Sequence, residues 1–263
     1  GSVAFAPMLL VIDVGNTNTV LGLYDGDRMI HSWRLTTERQ RTTDEYGILC
    51  RNLFELSGVE WEAITAVAIA SVVPPLNYTL RRMSSVYFHV EPLFIEPAVN
   101  AGMPVRYNPP SDVGADRIVN GVAAYTRYGG PCIVVDFGTA TTFDAISADG
   151  EYMGGVICPG IQVSAEALFA RAARLPRVEI SRTENVIGTS TVTSIQSGLF
   201  YGYVGLVEGI LRRMLEELGG SARVIATGGL ATMIARGTSL IETVDGELTL
   251  EGLRLIYERN RHG

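Results

Sequence analysis

"LLVIDVGNTNTVLGLYDG", residues 9–26, joins an apolar run to a turn rich in Gly, Asn and Thr and then to a second apolar run. That order predicts a strand, a polar turn and a returning strand. Taken alone, a polar hairpin tip explains it. The reading changes at residues 132–147, "CIVVDFGTATTFDAIS", where Asp136, Gly138 and Thr142 repeat the D-x-G-x-x-x-T spacing of Asp13, Gly15 and Thr19. The two copies lie nearly half of the 263-residue chain apart. Duplication at that scale suggests two similar halves, each built on a mixed sheet that opens with a hairpin.

The flanking segments extend the repeat. In the first half a third strand is expected at 29–37, a helix at 43–58 with Thr43 or Asp44 as cap, and a buried strand at 66–73. A third strand of the second half falls at 152–161 and a last strand at 222–229, with helical stretches at 163–175, 194–220 and 249–260. The Pro, Gly and Asn-rich "EPAVNAGMPVRYNPPSD" is the natural boundary. The expected division is therefore 8–111 and 112–263, two α/β domains facing across a cleft. Residues 1–7 are expected to be a cloning remnant and disordered N-terminus, with Met8 as native start.

Composition narrows the chemistry. A net charge of −7 lacks the basic footprint that nucleic acid demands. No apolar run is long enough to span a membrane and no secretory signal is supported, while cysteine usage favours a reducing cytoplasm. Cys50, Cys132 and Cys158 have no metal-type or CxxC spacing and suit small buried residues. The sequence contains no lysine, so all 21 Lys-plus-Arg positions are arginine. A Walker A lysine, a protein-kinase strand lysine and a Schiff-base lysine are thereby excluded.

Phosphate, if bound, must be held by backbone N–H groups, hydroxyls, Asn, Arg and metal. The two turns offer glycines for close backbone approach and the hydroxyls of Thr17, Thr19, Thr139, Thr141 and Thr142. Asp13 and Asp136 would repel phosphate unless a cation lay between, which implies Mg2+. A third glycine turn, "TGG" at 227–229, ends a predicted strand. It reads equally as a nucleotide contact or as a simple strand-to-helix turn. In "SDVGADRIVNGVAAY", with Asp112 as expected N-cap, Asp116 shares a helical face with Val119 and Ala123. An acid on a core-facing stripe suggests a general base, while Arg117 points elsewhere, free to pair with an anion or to sit on the surface.

The motifs "DVGNTNT", "VGADRIVNGVAA", "DFGTATTFD", "YMGGVICPG" and "TGG", in this order, resemble the bacterial type III pantothenate kinases, from about Met8 to Arg261. The resemblance implies an α/β fold of two duplicated ribonuclease-H-like, actin-like ATPase domains, and ATP-dependent phosphorylation of pantothenate at the first committed step of coenzyme A biosynthesis. It also implies roles. Asp13, Val14, Gly15, Asn16, Thr17, Asn18, Thr19 and Val20 would form the first ATP-phosphate loop, Thr139 would contact ATP, and Gly228 and Gly229 would lie against the nucleotide. Tyr107, Gly114, Ala115, Asp116 and Arg117 would bind pantothenate, with Asp116 the proton acceptor. Asp136 would ligate a monovalent cation, K+ or NH4+, and Asp13 would serve Mg2+ directly or through water. Thr191 would reach pantothenate across a homodimer interface. Two other readings stay open: another small-molecule kinase or phosphatase of the superfamily, and a non-catalytic accessory transcription regulator.

Overall fold

The computed structural model describes residues 7–262; residues 1–6 of the expected cloning remnant and disordered N-terminus at 1–7 lie outside the described residues. The chain forms two five-stranded sheets. Strands β1 (Met8–Val14), β2 (Asn18–Asp25) and β3 (Arg28–Thr36) make an antiparallel meander, followed by α1 (Thr43–Leu56). Strand β4 (Ile64–Ser71) then lies parallel to β1, and after α2 (Pro74–Met83) the short β5 (Leu93–Phe94) lies parallel to β4. Helix α3 (Ala115–Tyr128) leads into the second set. There β6 (Cys132–Phe137), β7 (Ala140–Ile146) and β8 (Tyr152–Pro159) repeat the meander, followed by α4 (Ile161–Arg171) and α5 (Thr191–Glu217). Strand β9 (Arg223–Gly228) lies parallel to β6, and past α6 (Ala231–Ala235) the short β10 (Thr243–Val244) lies parallel to β9. Helix α7 (Leu248–Arg261) ends the described chain.

The sheet orders are β3-β2-β1-β4-β5 and β8-β7-β6-β9-β10, the same arrangement twice. Burial explains why the central strands declare themselves in the sequence. In β1, Leu9 to Ile12 are all buried, because helices or loops cover both faces of a central strand. In β8 the buried and exposed positions alternate, as on a strand with one wet face. Each sheet has its own core. Leu10, Ile12, Leu21, Leu23, Phe54 and Ile69 pack in the first, and Ile133, Val135, Phe143, Phe200, Val207 and Val224 in the second. Each such side chain contributes about 1.5–3 kcal/mol of transfer free energy.

Two compact units result, with a division unlike the expected one at 111/112. Among the described residues, the first comprises those through Met103, Tyr107–Ala123 and those from Thr249 on; the second comprises Pro104–Arg106 and Ala124–Leu248. The reason lies in helix packing. Gly252 of α7 abuts Val119 of α3 so closely that an added methyl would stand 2.7 Å from Val119 Cγ1. Thr249 Oγ1 also donates to Asn120 Oδ1 at 2.6 Å. A strand-and-turn reading cannot see that the last helix returns to the first unit.

Local caps also differ from expectation. Helix α1 is capped by Thr42, one residue earlier than expected, in a capping box with Glu45. Asp112 does not cap α3; it closes a 3-10 turn over Pro110–Asp112, and α3 opens at Ala115. Cys50 and Cys132 are buried, with thiol pKa values pushed up to about 12 by burial, and Cys158 is half-buried; all three are free. Among the described residues no helix is long and apolar enough to cross a membrane.

Candidate active site

The first turn is tighter than an open anion cradle. Gly15 N–H donates to Asn18 O at 2.9 Å, so this amide is spent within the turn rather than offered to an anion. The side chain of Thr37, just past β3, locks the turn from below. Its Oγ1 donates to Gly15 O at 2.8 Å and pairs with Thr19 Oγ1 at 2.9 Å, while its N–H donates to Thr17 O at 2.9 Å. Val14 and Thr19 face inward and are buried, so their side chains serve packing; Asn16, Thr17 and Asn18 are exposed at the tip. Asp13 is half-buried beside Ala70 of β4 and Val20 of β2.

The second turn repeats this design with one residue fewer. Val14 pairs with Thr19, whereas Phe137 pairs with Thr141, so the spatial counterpart of Thr19 is Thr141 and not Thr142 as the motif spacing suggested. Both are 1% exposed. Gly138 N–H again closes the turn, onto Ala140 O at 3.1 Å. Gly160 N–H donates to Thr139 O at 3.1 Å, the counterpart of the Thr37 amide. Asp136 is half-buried next to Thr142 and Thr227, just as Asp13 stands in the first sheet. Tyr203 of α5 holds the turn, its hydroxyl 2.5 Å from Thr141 Oγ1 and 2.8 Å from Pro159 O.

Gly228 ends β9 opposite Phe137, with φ +98. A methyl there would lie 2.5 Å from Phe137 O and 2.7 Å from its N, so glycine is required for the strand to close on the second turn. Gly229 has open space instead. Thus Gly228, Asp136 and Thr139 gather at one end of the second sheet.

Asp116 lies in the first turn of α3, where backbone N–H groups lack intrahelical partners. The Arg117 N–H donates to its Oδ1 at 2.9 Å. Burial nevertheless dominates and raises the Asp116 pKa, against the lowering effects of that bond and of the Arg117 charge. Gly114 leaves room for the carboxylate: a methyl at 114 would be 2.8 Å from Asp116 Oδ1. The same methyl would be 3.6 Å from Val72 Cγ1, and Val72 N–H donates to Val14 O at 3.1 Å. Val72 thus stands near Gly114 and is bonded to the last residue of β1. Arg117 is 7% exposed, not the surface arginine that was one of its two sequence readings. Val119 and Ala123 are fully buried, as the shared face predicts, and Ala115 is buried too; Tyr107 is half-buried.

The second unit carries Thr191, exposed at the first position of α5 after the cap Ser190. It lines an open cavity of about 870 Å3 together with Leu168, Leu175, Thr189, Ser194 and Leu199. Thr37 and Tyr203 were missed by sequence reasoning. Thr37 could have been found as the strand-exit residue matching Gly160, but nothing marks Tyr203 within a long helix.

Two ribonuclease-H-like units of one topology, each with an Asp two residues ahead of a glycine turn, define an actin-like ATPase fold of the kind used by small-molecule kinases. Solved structures agree on the fold. A conserved Baf family protein from Campylobacter jejuni matches with TM-score 0.62 at 21% identity, covering 97% of this chain and 100% of that one. The activator of 2-hydroxyisocaproyl-CoA dehydratase from Clostridium difficile, solved with bound ADPNP, matches with TM-score 0.56 at 13% identity over 97% and 96% of the two chains. The type III pantothenate kinase family model matches residues 9–213. Type III pantothenate kinases of Koribacter versatilis and of an Anaeromyxobacter species are 58% and 59% identical, each over 97% of this chain and over 96% and 100% of their own lengths. This chain belongs to the type III pantothenate kinase family.

Proposed function

We propose that the chain transfers the γ-phosphoryl group of ATP to the primary hydroxyl of pantothenate, the first committed step towards coenzyme A, with Asp116 as proton acceptor. The observation that carries the reading is Asp116 itself: a half-buried carboxylate whose proton affinity is raised by burial, at a helix start near Val72, which is bonded to the last residue of β1. A base tuned upward towards the operating pH removes a hydroxyl proton more readily. Arg117 N–H occupies one carboxylate site, and lone pairs remain for the substrate hydroxyl. In the step, the hydroxyl oxygen bonds to Pγ, the bond from Pγ to the β-phosphate bridging oxygen breaks, ADP leaves, and the proton goes to Asp116.

Phosphoryl transfer depends on positioning and charge neutralisation. In this reading Asp13–Val20, Thr139, Gly228 and Gly229 hold ATP, and Tyr107, Gly114–Arg117 and Thr191 hold pantothenate, with buried Arg117 facing anionic charge. Among the described residues no group of three or more acids, His or Cys could form a protein-only metal cage. Mg2+ takes one or two carboxylates and completes its shell with phosphate oxygens and water. Asp13 would hold it, directly or through water, and Asp136 would hold K+ or NH4+. These cations supply neutralisation of phosphate charge when bound.

The reading includes a homodimer. On α5, Gly198, Gly202 and Gly205 are exposed and have nothing within 4 Å of an added methyl, and Gly209 meets only Arg213 at 3.7 Å. Their spacing sets them along one helical side, and exposed Ile157, Val186, Ile187 and Val192 belong to the same unit. Small residues on an open helix face admit close approach of a second copy, which would bring Thr191 to its partner's substrate. The cytoplasm suits such an enzyme, and a net charge of −7 gives it no nucleic-acid role.

Coupled ADP release with pantothenate, with and without K+, is the test. Turnover should require pantothenate over a panel of sugars and carboxylates and should fall when Na+ replaces K+. ADP release indifferent to pantothenate would refute the substrate, and equal rates in Na+ and K+ would refute the role of Asp136.

A further inference from the structure

A lysine-free chain must neutralise a nucleotide's phosphates with arginine or metal, and one arginine stands at the first turn. The Arg39 Nη2 donates to Asn16 Oδ1 at 3.3 Å. Arg39 is exposed and, among the described residues, has no carboxylate partner. With its Oδ1 accepting from Arg39, Asn16 keeps its NH2 group as a donor suited to an anion, together with the remaining guanidinium N–H groups.

The backbone that presents Arg39 is fixed at both ends. Thr37 gives its single hydroxyl proton to Gly15 O, so Thr19 must donate to Thr37 Oγ1, and the three groups form a one-way chain under the turn. At the far end the Arg41 N–H donates to Glu38 O at 3.2 Å and its Nη1 to Thr36 O at 3.2 Å, with the guanidinium 5.3 Å from the centre of the Tyr46 ring. Arg41 is thus engaged in holding the loop. Of the nearby acids, Glu45 caps Thr42 N–H and Asp44 accepts from the Tyr87 hydroxyl at 2.8 Å, leaving exposed Glu38 as the loop's own negative charge.

The duplication shows that this loop is an addition. In the second half Gly160 occupies the place of Thr37, and α4 begins at once with Ile161. Two residues past Gly160, where the first half has Arg39, stands Gln162, which donates to Glu166 within its own helix. The first half instead inserts residues 37–42 between β3 and α1 and places a cation against the turn.

We propose that Arg39 is a phosphate-binding residue for the terminal phosphates of ATP, acting with Asn16 at the first turn. The proposal rests on the ATP-dependent reading above. A guanidinium bonds two phosphate oxygens through parallel N–H groups and cannot lose its charge, which suits a site with no lysine to share the task.

Calorimetric titration of the full chain with AMP-PNP and with AMP, both with Mg2+, tests it, alongside steady-state kinetics. Arg39→Gln should weaken AMP-PNP on the order of 10-fold or more while leaving AMP within about 2-fold. KM for ATP should rise with KM for pantothenate unchanged, and Arg39→Lys should recover only part of the lost affinity, because the charge is retained but the paired N–H donors are not. Thermal melting should not change, since Arg39 is exposed. Equal AMP-PNP affinity in wild type and Arg39→Gln, or an equal loss for AMP and AMP-PNP, would each overturn the proposal. Wild type that binds AMP-PNP but does not phosphorylate pantothenate would sink the substrate reading alone, with Arg39 still decided by the binding ratio. Wild type with no affinity for AMP-PNP would overturn both.

Discussion

Gly252→Ala should uncouple helix α3, which carries the proposed base Asp116, from its support. The new methyl would sit 2.7 Å from Val119 Cγ1 and 2.9 Å from the Val119 carbonyl carbon, and closer still to the carbonyl oxygen. Carbon–carbon contact at about 3.5 Å requires α7 and α3 to move apart by on the order of 0.6–1 Å, a shift shared between the two helices. Val119 cannot yield alone, because its carbonyl belongs to the ladder of α3 and its side chain is fully buried. Overpacking of this kind costs about 1–3 kcal/mol, offset by about 0.5–1 kcal/mol from replacing glycine within a helix. A clash with backbone places the cost in the upper half of that range, so a net loss of about 1–2.5 kcal/mol would lower Tm by roughly 2–10 °C in a chain of this size. Val119 is one turn from Asp116, so the same displacement reaches the carboxylate. A misplacement near 1 Å at a reacting group costs on the order of 10²-fold in rate. Scanning calorimetry and kcat from coupled ADP release measure the two effects, with Gly246→Ala as control, since that position has open space and no positive φ. An unchanged Tm would refute the close approach of the helices. A lowered Tm with unchanged kcat would refute the link from α7 to Asp116.

Asp116→Asn should lower kcat on the order of 10²-fold or more and yet leave the protein as stable or more stable at neutral pH. The sign follows from the raised pKa: the folded state holds the Asp116 proton more tightly than the unfolded state, so ionisation costs stability as pH rises from the ordinary carboxylate range through the folded value. The gain should disappear below about pH 4, where the carboxyl is protonated in both states; denaturant melts at two pH values would expose a reversed order. Gly160→Ala places a methyl 2.7 Å from Gly138 O and closer still to Thr139 O, so ATP affinity should fall by titration calorimetry; normal affinity would show that the second turn tolerates the shift. Gly202→Ala favours the helix of a lone chain but crowds a face open in the single chain. It should shift light-scattering mass towards monomer, and an intact dimer would remove α5 from the interface.

Much of this protein is legible without coordinates because its central strands are buried on both faces. "LLVIDV" and "CIVVDF" therefore read as continuous apolar runs, and the residues that interrupt them, Asp13 and Asp136, stand out. The helical period likewise exposed Asp116 as an acid on the stripe of Val119 and Ala123. The cap residues were displaced by one to three positions, since Thr42 and the 3-10 turn at 110–112 are chosen by competition among neighbouring hydrogen-bonding groups.

By itself, then, the sequence determined the duplication, the paired acidic turns, the absence of any lysine and the family. These are local or repeated patterns, and each depends only on residue type and spacing. The tertiary structure alone decided that α7 returns to the first unit, that Thr19 matches Thr141 and not Thr142, and that Thr37 and Tyr203 brace the turns. It also set Arg39 against Asn16. Those facts are contacts between segments far apart in the chain, fixed by strand register, steric fit and the pairing of individual donors with acceptors, none of which is written in the order of the residues.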